Sequence, residues 1–191
     1  MGWRAVYHAL KKYPVTGKSG FVVGSQLPWV EVHALVLGAR KLLTVDYQNT
    51  TIYGTNKLTY IRPIDFAKQW ENENRSGYRD SGEPGRSYSA HNDPSYGDPI
   101  DPIGDLREMW KTLCLLKPGG IFYFGVPRGI DTVVFNIHRI NGAIRLAMVM
   151  TGFEWLTTFS GDHPQPFNLT RSDLEHSADA RVQDLYVLRK L

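Results

Sequence analysis

The chain has a single cysteine, Cys114, among its 191 residues. That excludes an internal disulfide framework and any cysteine-rich zinc site. No apolar run approaches the roughly 18 residues that a membrane-crossing helix needs. Basic runs of five or more are also missing, and a net charge of +3 is too small to argue for a nucleic-acid partner. The opening MGWRAVYHALKKYP is too short and too polar for a signal peptide, so cytoplasm is the default expectation. Sequons at Asn49, Asn74 and Asn168 leave a secretory compartment open. Cys114 itself lies in TLCLL, where buried filler is the expectation.

What is present is ordinary for a soluble globular chain: 42% hydrophobic and 21% charged residues. The length suits one domain over 1–191. After a polar lead-in with an amphipathic turn around Val6, Leu10 and Tyr13, the run GFVVGS (20–25) predicts a strand punctuated by glycine. Pro28 fits the first turn of a helix carrying Val30, His33, Ala34 and Leu37, with Gly38 as its stop. KLLTVDY (41–47) predicts a second strand ending in an acid, and KLTYIRPIDF (57–66) a third that stops at Pro63. Residues 67–100 are polar, rich in Gly, Ser, Asn, Asp and Pro, and predict a long loop with one weak strand at RSYSAH.

Order returns at 101. Asp101 is expected to cap a helix, Pro102 to begin it, and Ile103, Leu106, Met109, Trp110, Leu113 and Leu116 to form its buried stripe. IFYFGV (121–126) predicts a core strand. Residues 132–151 predict an amphipathic helix with Val134, Ile137, Ile140, Ile144 and Met148 on one face. FEWLTTF (153–159) and QDLYVLRKL (183–191) predict the last two strands. The alternation implies an α/β fold: a three-layer, Rossmann-like, mainly parallel sheet with helices on both faces. The last two strands lack an intervening helix, which predicts an antiparallel edge.

In such a sheet the ligand sits beyond the C-terminal strand ends, near the point where the strand order reverses. Asp46 lies 22 positions after Gly24, close to the offset of about 20 at which an acid meets a ribose diol. GSQLPW has only the first glycine of a pyrophosphate turn, which argues against a dinucleotide. A cofactor without a pyrophosphate, such as S-adenosylmethionine, needs less backbone approach. Gly24, Ser25, Asp46 and Tyr47 are its candidate contacts. The bland reading is that Gly24 only makes a turn and Asp46 only caps something local.

The block LLKPGGIFYFGVP (115–127) resembles the fifth-strand region of class I S-adenosylmethionine-dependent methyltransferases. A closer resemblance covers most of the chain. Residues 20–47, 96–129, 133–146 and 152–161 resemble the family called domain of unknown function 268, which is methyltransferase-like in fold. The resemblance implies S-adenosylmethionine as cofactor and a small-molecule or glycan-type substrate, with a non-catalytic methyltransferase-like interaction domain as the alternative. Members of that family usually carry an apolar fourth strand and a segment like S-x-x-E-H. Here GRSYSAHNDPSYGDP keeps His91 but has Ala90 at the glutamate, and the strand is polar.

Methyl transfer sometimes needs a base, and His91 and Asp93 are the candidates because they follow that fourth strand. NDPSY (92–96) resembles the D/N-P-P-Y segment of amino-methyltransferases, making Tyr96 a candidate substrate contact. Arg128, after the fifth strand, is a second, and His138 with Arg139 could also reach an acidic substrate. Asp98, Asp101 and Asp105 cluster in DPIDPIGD, yet hard cations need convergent oxygens, so no metal is expected.

Overall fold

The computed structural model describes residues 3–25, 27–48, 51–75, 86–91, 103–134, 138–161, 163–175 and 183–191. The elements are α1 (Trp3–Lys12), β1 (Ser19–Val23), α2 (Trp29–Val36), β2 (Lys41–Val45), β3 (Leu58–Ile61), α3 (Pro63–Arg75), β4 (Arg86–His91) and α4 (Gly104–Leu115). They continue with β5 (Ile121–Pro127), β6 (Thr132–Val134), β7 (His138–Ile140), α5 (Ala143–Val149), β8 (Phe153–Ser160), α6 (Arg171–Glu175) and β9 (Gln183–Lys190).

Seven strands form one sheet in the order β3-β2-β1-β4-β5-β9-β8. The first five run parallel. β9 runs antiparallel to both β5 and β8. The antiparallel pairing thus falls at the end of the sheet where no crossover helix was expected, with β9 one strand in from the edge strand β8. The chain builds outward from β1 to β3, then returns to the other side of β1 with β4, so the order reverses between β1 and β4.

Strand alternation explains the layers, because successive side chains leave opposite faces. Val22, Tyr123, Leu185 and Val187 face one way, where they pack with Val6, Leu10, Val30 and Ala34 from α1 and α2. Phe21, Phe122, Phe124, Tyr186 and Leu188 face the other way, against Leu106 and Met109 of α4 and Leu146 and Val149 of α5. Phe66 of α3 joins that second cluster, its ring 5.4 Å from that of Phe21. Helices therefore cover both faces.

Several expectations change. The 67–100 region is not all loop, since 67–75 continue α3, which Pro63 opens. The weak strand at RSYSAH is real, and as β4 it pairs with β1 and β5 in the middle of the sheet. The helix expected over 132–151 is instead a β6–β7 hairpin followed by the short α5. β-Branched Thr132, Val133 and Ile140 favour strands. α5 starts only where the Asp131 carboxylate accepts from the backbone N–H groups of Gly142 (2.6 Å), Ile144 (3.1 Å) and Arg145 (3.2 Å). Ile144 and Met148 consequently point to solvent. α4 begins at Gly104, and the expected cap Asp101 and first residue Pro102 lie outside the described residues. On α4, Leu106 and Met109 are buried, but Ile103 and Trp110 are exposed. Cys114 is exposed too: it sits on the outward side of the helix.

Candidate functional site

The parallel strands bring one end of β1, β2, β4 and β5 to a common rim. Val23 pairs with Val45 and with Ala90, and His91 with Gly125. Gly24, Ser25, Asp46, Tyr47, His91 and Arg128 all follow or end strands there. Asp93 and Tyr96 lie outside the described residues, as do Asp98 and Asp101.

The first turn is made by Gly24, whose φ of 71° is a left-handed value that glycine adopts without strain. Its N–H donates to the Val45 carbonyl at 3.1 Å, so this amide is tied to β2. The Ser25 hydroxyl contacts the Leu27 carbonyl at 3.0 Å and Glu31 Oε2 at 2.9 Å. Glu31 was not singled out in the sequence. It stands in the first turn of α2 and is fully buried, while Val32 and Val36 of the same helix are exposed. Its Oε1 accepts from the Thr44 hydroxyl of β2 at 2.7 Å.

Burial holds the Glu31 carboxyl above its ordinary pKa. The bonds from Thr44 and Ser25 pull it back down, and the charge of Asp46 pushes it up. One hydroxyl hydrogen cannot serve two acceptors. A protonated Oε2 that donates to Ser25 Oγ leaves Ser25 free to donate to Leu27. The clue in the sequence was spacing: Glu31 and Ala34, three apart, share with Val30 the inward face of a largely apolar helix.

Asp46 follows β2 and is half-buried. Its Oδ1 accepts from the Gln48 N–H at 2.8 Å, and its carbonyl accepts from the Tyr60 hydroxyl at 2.6 Å. The local turn that the bland reading foresaw is therefore present. Among the described residues no donor is recorded for Oδ2. A carboxylate at this strand end keeps acceptor capacity of the kind a ribose hydroxyl uses. Beside it, the Tyr47 ring is exposed.

Arg128 is turned inward. Its Nη1 donates to Asp173 Oδ1 of α6 at 2.7 Å, its Nε lies 2.6 Å from Asp184 Oδ2 at the start of β9, and its guanidinium stacks over Phe167 at 5.3 Å. The side chain is 15% exposed and that of Asp184 is 0% exposed. The Arg128–Asp184 contact lacks hydrogen-bond alignment at either atom, so charge holds it. Burial raises the Asp184 pKa, and Ser160 and Arg128 oppose that rise. Thr170 and then Arg128 hold the Asp173 pKa low. The expectation of a substrate-facing arginine gives way to an internal ion cluster. Arg139 and Arg145 likewise converge on buried Asp105: Arg139 Nη1 lies 3.6 Å from Oδ1, and Arg145 Nε donates to Oδ2 at 2.8 Å. No group of three metal-ligating side chains is found among the described residues.

The family model described as "Caenorhabditis protein of unknown function, DUF268" matches residues 17–191. Among curated proteins none matches in sequence. Of the solved structures, "a putative SAM-dependent methyltransferase" from Streptococcus mutans superposes with a TM-score of 0.61 at 11% identity, over 96% of this chain and 47% of that one. The N-methyltransferase NodS of Bradyrhizobium japonicum gives a TM-score of 0.60 at 10% identity, over 97% and 92% of the two chains. A structure described as "a putative methyltransferase complexed with SAH", S-adenosylhomocysteine, gives 0.53 at 9% identity, over 92% and 46%. The chain thus spans about half the length of the first and third of these. Likeness at such identities shows the fold: α/β, Rossmann-like and methyltransferase-like.

Proposed function

The chain belongs to the DUF268 family, and from that footing we propose that it binds S-adenosylmethionine at the rim of β1 and β2 and transfers its methyl group to a small-molecule or glycan-type acceptor. The observation that carries the reading is that Gly24 and Asp46 directly follow the paired strand ends Val23 and Val45, beside the point where the strand order reverses. Asp46 would accept from the ribose, Tyr47 would meet the adenine, and Gly24 and Ser25 would hold the methionine part. Transfer moves the methyl from the sulfonium to an acceptor heteroatom and leaves S-adenosylhomocysteine. The acceptor's proton would go to a base, and His91, the last residue of β4, is the candidate, with Asp93 two residues on as the second. The low net charge and lack of a basic run argue against a nucleic-acid acceptor.

A second reading is favoured by one specific feature. β4 is polar, RSYSAH, although it lies between β1 and β5. A sheet that has kept its shape and lost its chemistry would serve as a non-catalytic interaction domain. Calorimetric titration with S-adenosylmethionine and S-adenosylhomocysteine separates the two. Binding in the micromolar range that weakens about 10- to 100-fold in Asp46→Ala, the loss expected for hydrogen bonds to a charged group, supports the cofactor reading. No heat from protein shown folded by circular dichroism refutes it and leaves the interaction domain.

A further inference from the structure

Glu31 links the two turns of this rim. One oxygen meets Ser25, next to Gly24, and the other meets Thr44, two residues before Asp46. The Gly24 N–H reaches across to Val45 in the same small region. A leucine at position 31 of this helix–sheet contact would spare the desolvation of a carboxyl, though it would leave the buried Thr44 hydroxyl without its acceptor. The carboxyl occupies that contact while α2 leaves Val32 and Val36 in solvent. A buried carboxyl is a poor device for stability, and its best-attested use is to fix one geometry among several. We propose that Glu31 is a positioning residue: it clasps the Gly24–Ser25 turn to β2 and thereby sets the distance from that turn to Asp46.

Glu31 acts only through Ser25 and Thr44 and need not touch the ligand. The Ser25 hydroxyl, engaged in the clasp, is then a structural group and not a ligand donor. The ligand part of this inference rests on the cofactor reading above, whereas its geometric part does not.

Two substitutions test it. Glu31→Gln keeps the clasp, because its carbonyl accepts from Thr44 and its amide donates to Ser25. Glu31→Leu keeps the volume and removes the clasp. Amide hydrogen exchange reads the geometry directly. In Glu31→Leu the Gly24 amide should exchange about tenfold faster or more, with Phe124 in β5 unchanged as the internal control, while Glu31→Gln stays near wild type. Affinity for S-adenosylhomocysteine should fall about tenfold or more in Glu31→Leu and little in Glu31→Gln.

Unchanged exchange at Gly24 in Glu31→Leu overturns the clasp. Faster exchange with undiminished affinity overturns its role in binding. If wild-type protein binds neither cofactor form, the proposed function falls and the exchange result still decides the clasp. Should Glu31→Leu fail to fold, Thr44→Val removes one arm at nearly constant shape, and the same outcomes apply.

Discussion

Replacing Arg128 by methionine should destabilise the protein by about 3–5 kcal/mol at pH 7, the cost of leaving a buried charge without its partner. The figure follows from which of the two carboxylates is buried. Asp173 keeps 31% of its side chain exposed, so its bond to Arg128 belongs with surface pairs worth at most about 1 kcal/mol. Asp184 has no exposure, lies 2.6 Å from Nε and has no well-aligned hydrogen bond on either oxygen. Removing the cation strands that carboxylate in the sheet. Urea unfolding followed by circular dichroism measures the loss, and at about 2–4 °C per kcal/mol for a chain of this size the melting point should fall by roughly 10 °C. The burden should ease in acid. The folded-state pKa of Asp184 is already raised by burial, and loss of Arg128 raises it further, so the native state takes up the proton first. Stability held below the unfolded pKa is then lost as pH rises through the folded value, so the cost of Arg128→Met must shrink as pH falls from neutral toward the unfolded carboxyl range of about 4. The double variant Arg128→Met/Asp184→Leu should recover most of the loss, and Asp173→Asn should cost little. A single variant that loses less than about 1 kcal/mol, or a loss flat with pH, refutes the buried-pair reasoning and restores Arg128 as a group available to a ligand.

Two further outcomes follow from the same geometry. Gly142→Ala would set a Cβ 2.6 Å from the Asp131 backbone N and 2.8 Å from the Gly129 carbonyl. Overpacking of that kind costs about 1–3 kcal/mol, seen as a lower denaturation midpoint at constant m-value. Glu31→Gln should gain stability over wild type as pH rises above about 4.5. The raised carboxyl pKa makes the wild type lose stability there, by up to about 1.4 kcal/mol per pH unit for one proton. Parallel pH profiles for the two proteins would contradict this.

β1 and β5 were legible because each is an apolar run bounded by glycine or proline, and β2 because its apolar run ends in an acid, all local properties. So was the weak strand β4, although its place at the centre of the sheet depends on pairing that no local pattern contains. The polar stretch KQWENENR hid the end of α3, since a helix opened by Pro63 needs only a few apolar anchors such as Phe66. VVFNIHRINGAIRL satisfied two periodicities at once. The tie was broken by Asp131, a carboxylate outside the segment that fixes where α5 starts. Cys114 was misjudged because its neighbours Leu113 and Leu115 are the ones turned toward the core. Of the site, Asp46 could be found from an interval along the chain. Glu31 offered only its inward spacing on α2 and Asp184 no local sign, because their meaning comes from partners 13 and 56 positions away.

The buried charges are distributed in a way that bears on function. The two faces of the sheet are apolar almost throughout, and on those faces sequence, periodicity and packing agree. At the rim they disagree in two places. Glu31 is enclosed between α2 and the ends of β1 and β2, and Asp184 between the end of β5 and the start of β9. These lie on opposite sides of β4, whose own sequence is the most polar of the sheet. Departures from local consistency of this kind collect at functional sites, since a buried carboxyl is a poor device for stability in both places. The two carboxyls therefore bracket the region where cofactor and acceptor would meet. β4 decides between the readings: if a chain with this central strand holds S-adenosylhomocysteine, the polarity of RSYSAH belongs to the site, and if it holds nothing, the bracket encloses a pocket whose middle strand has been lost to chemistry.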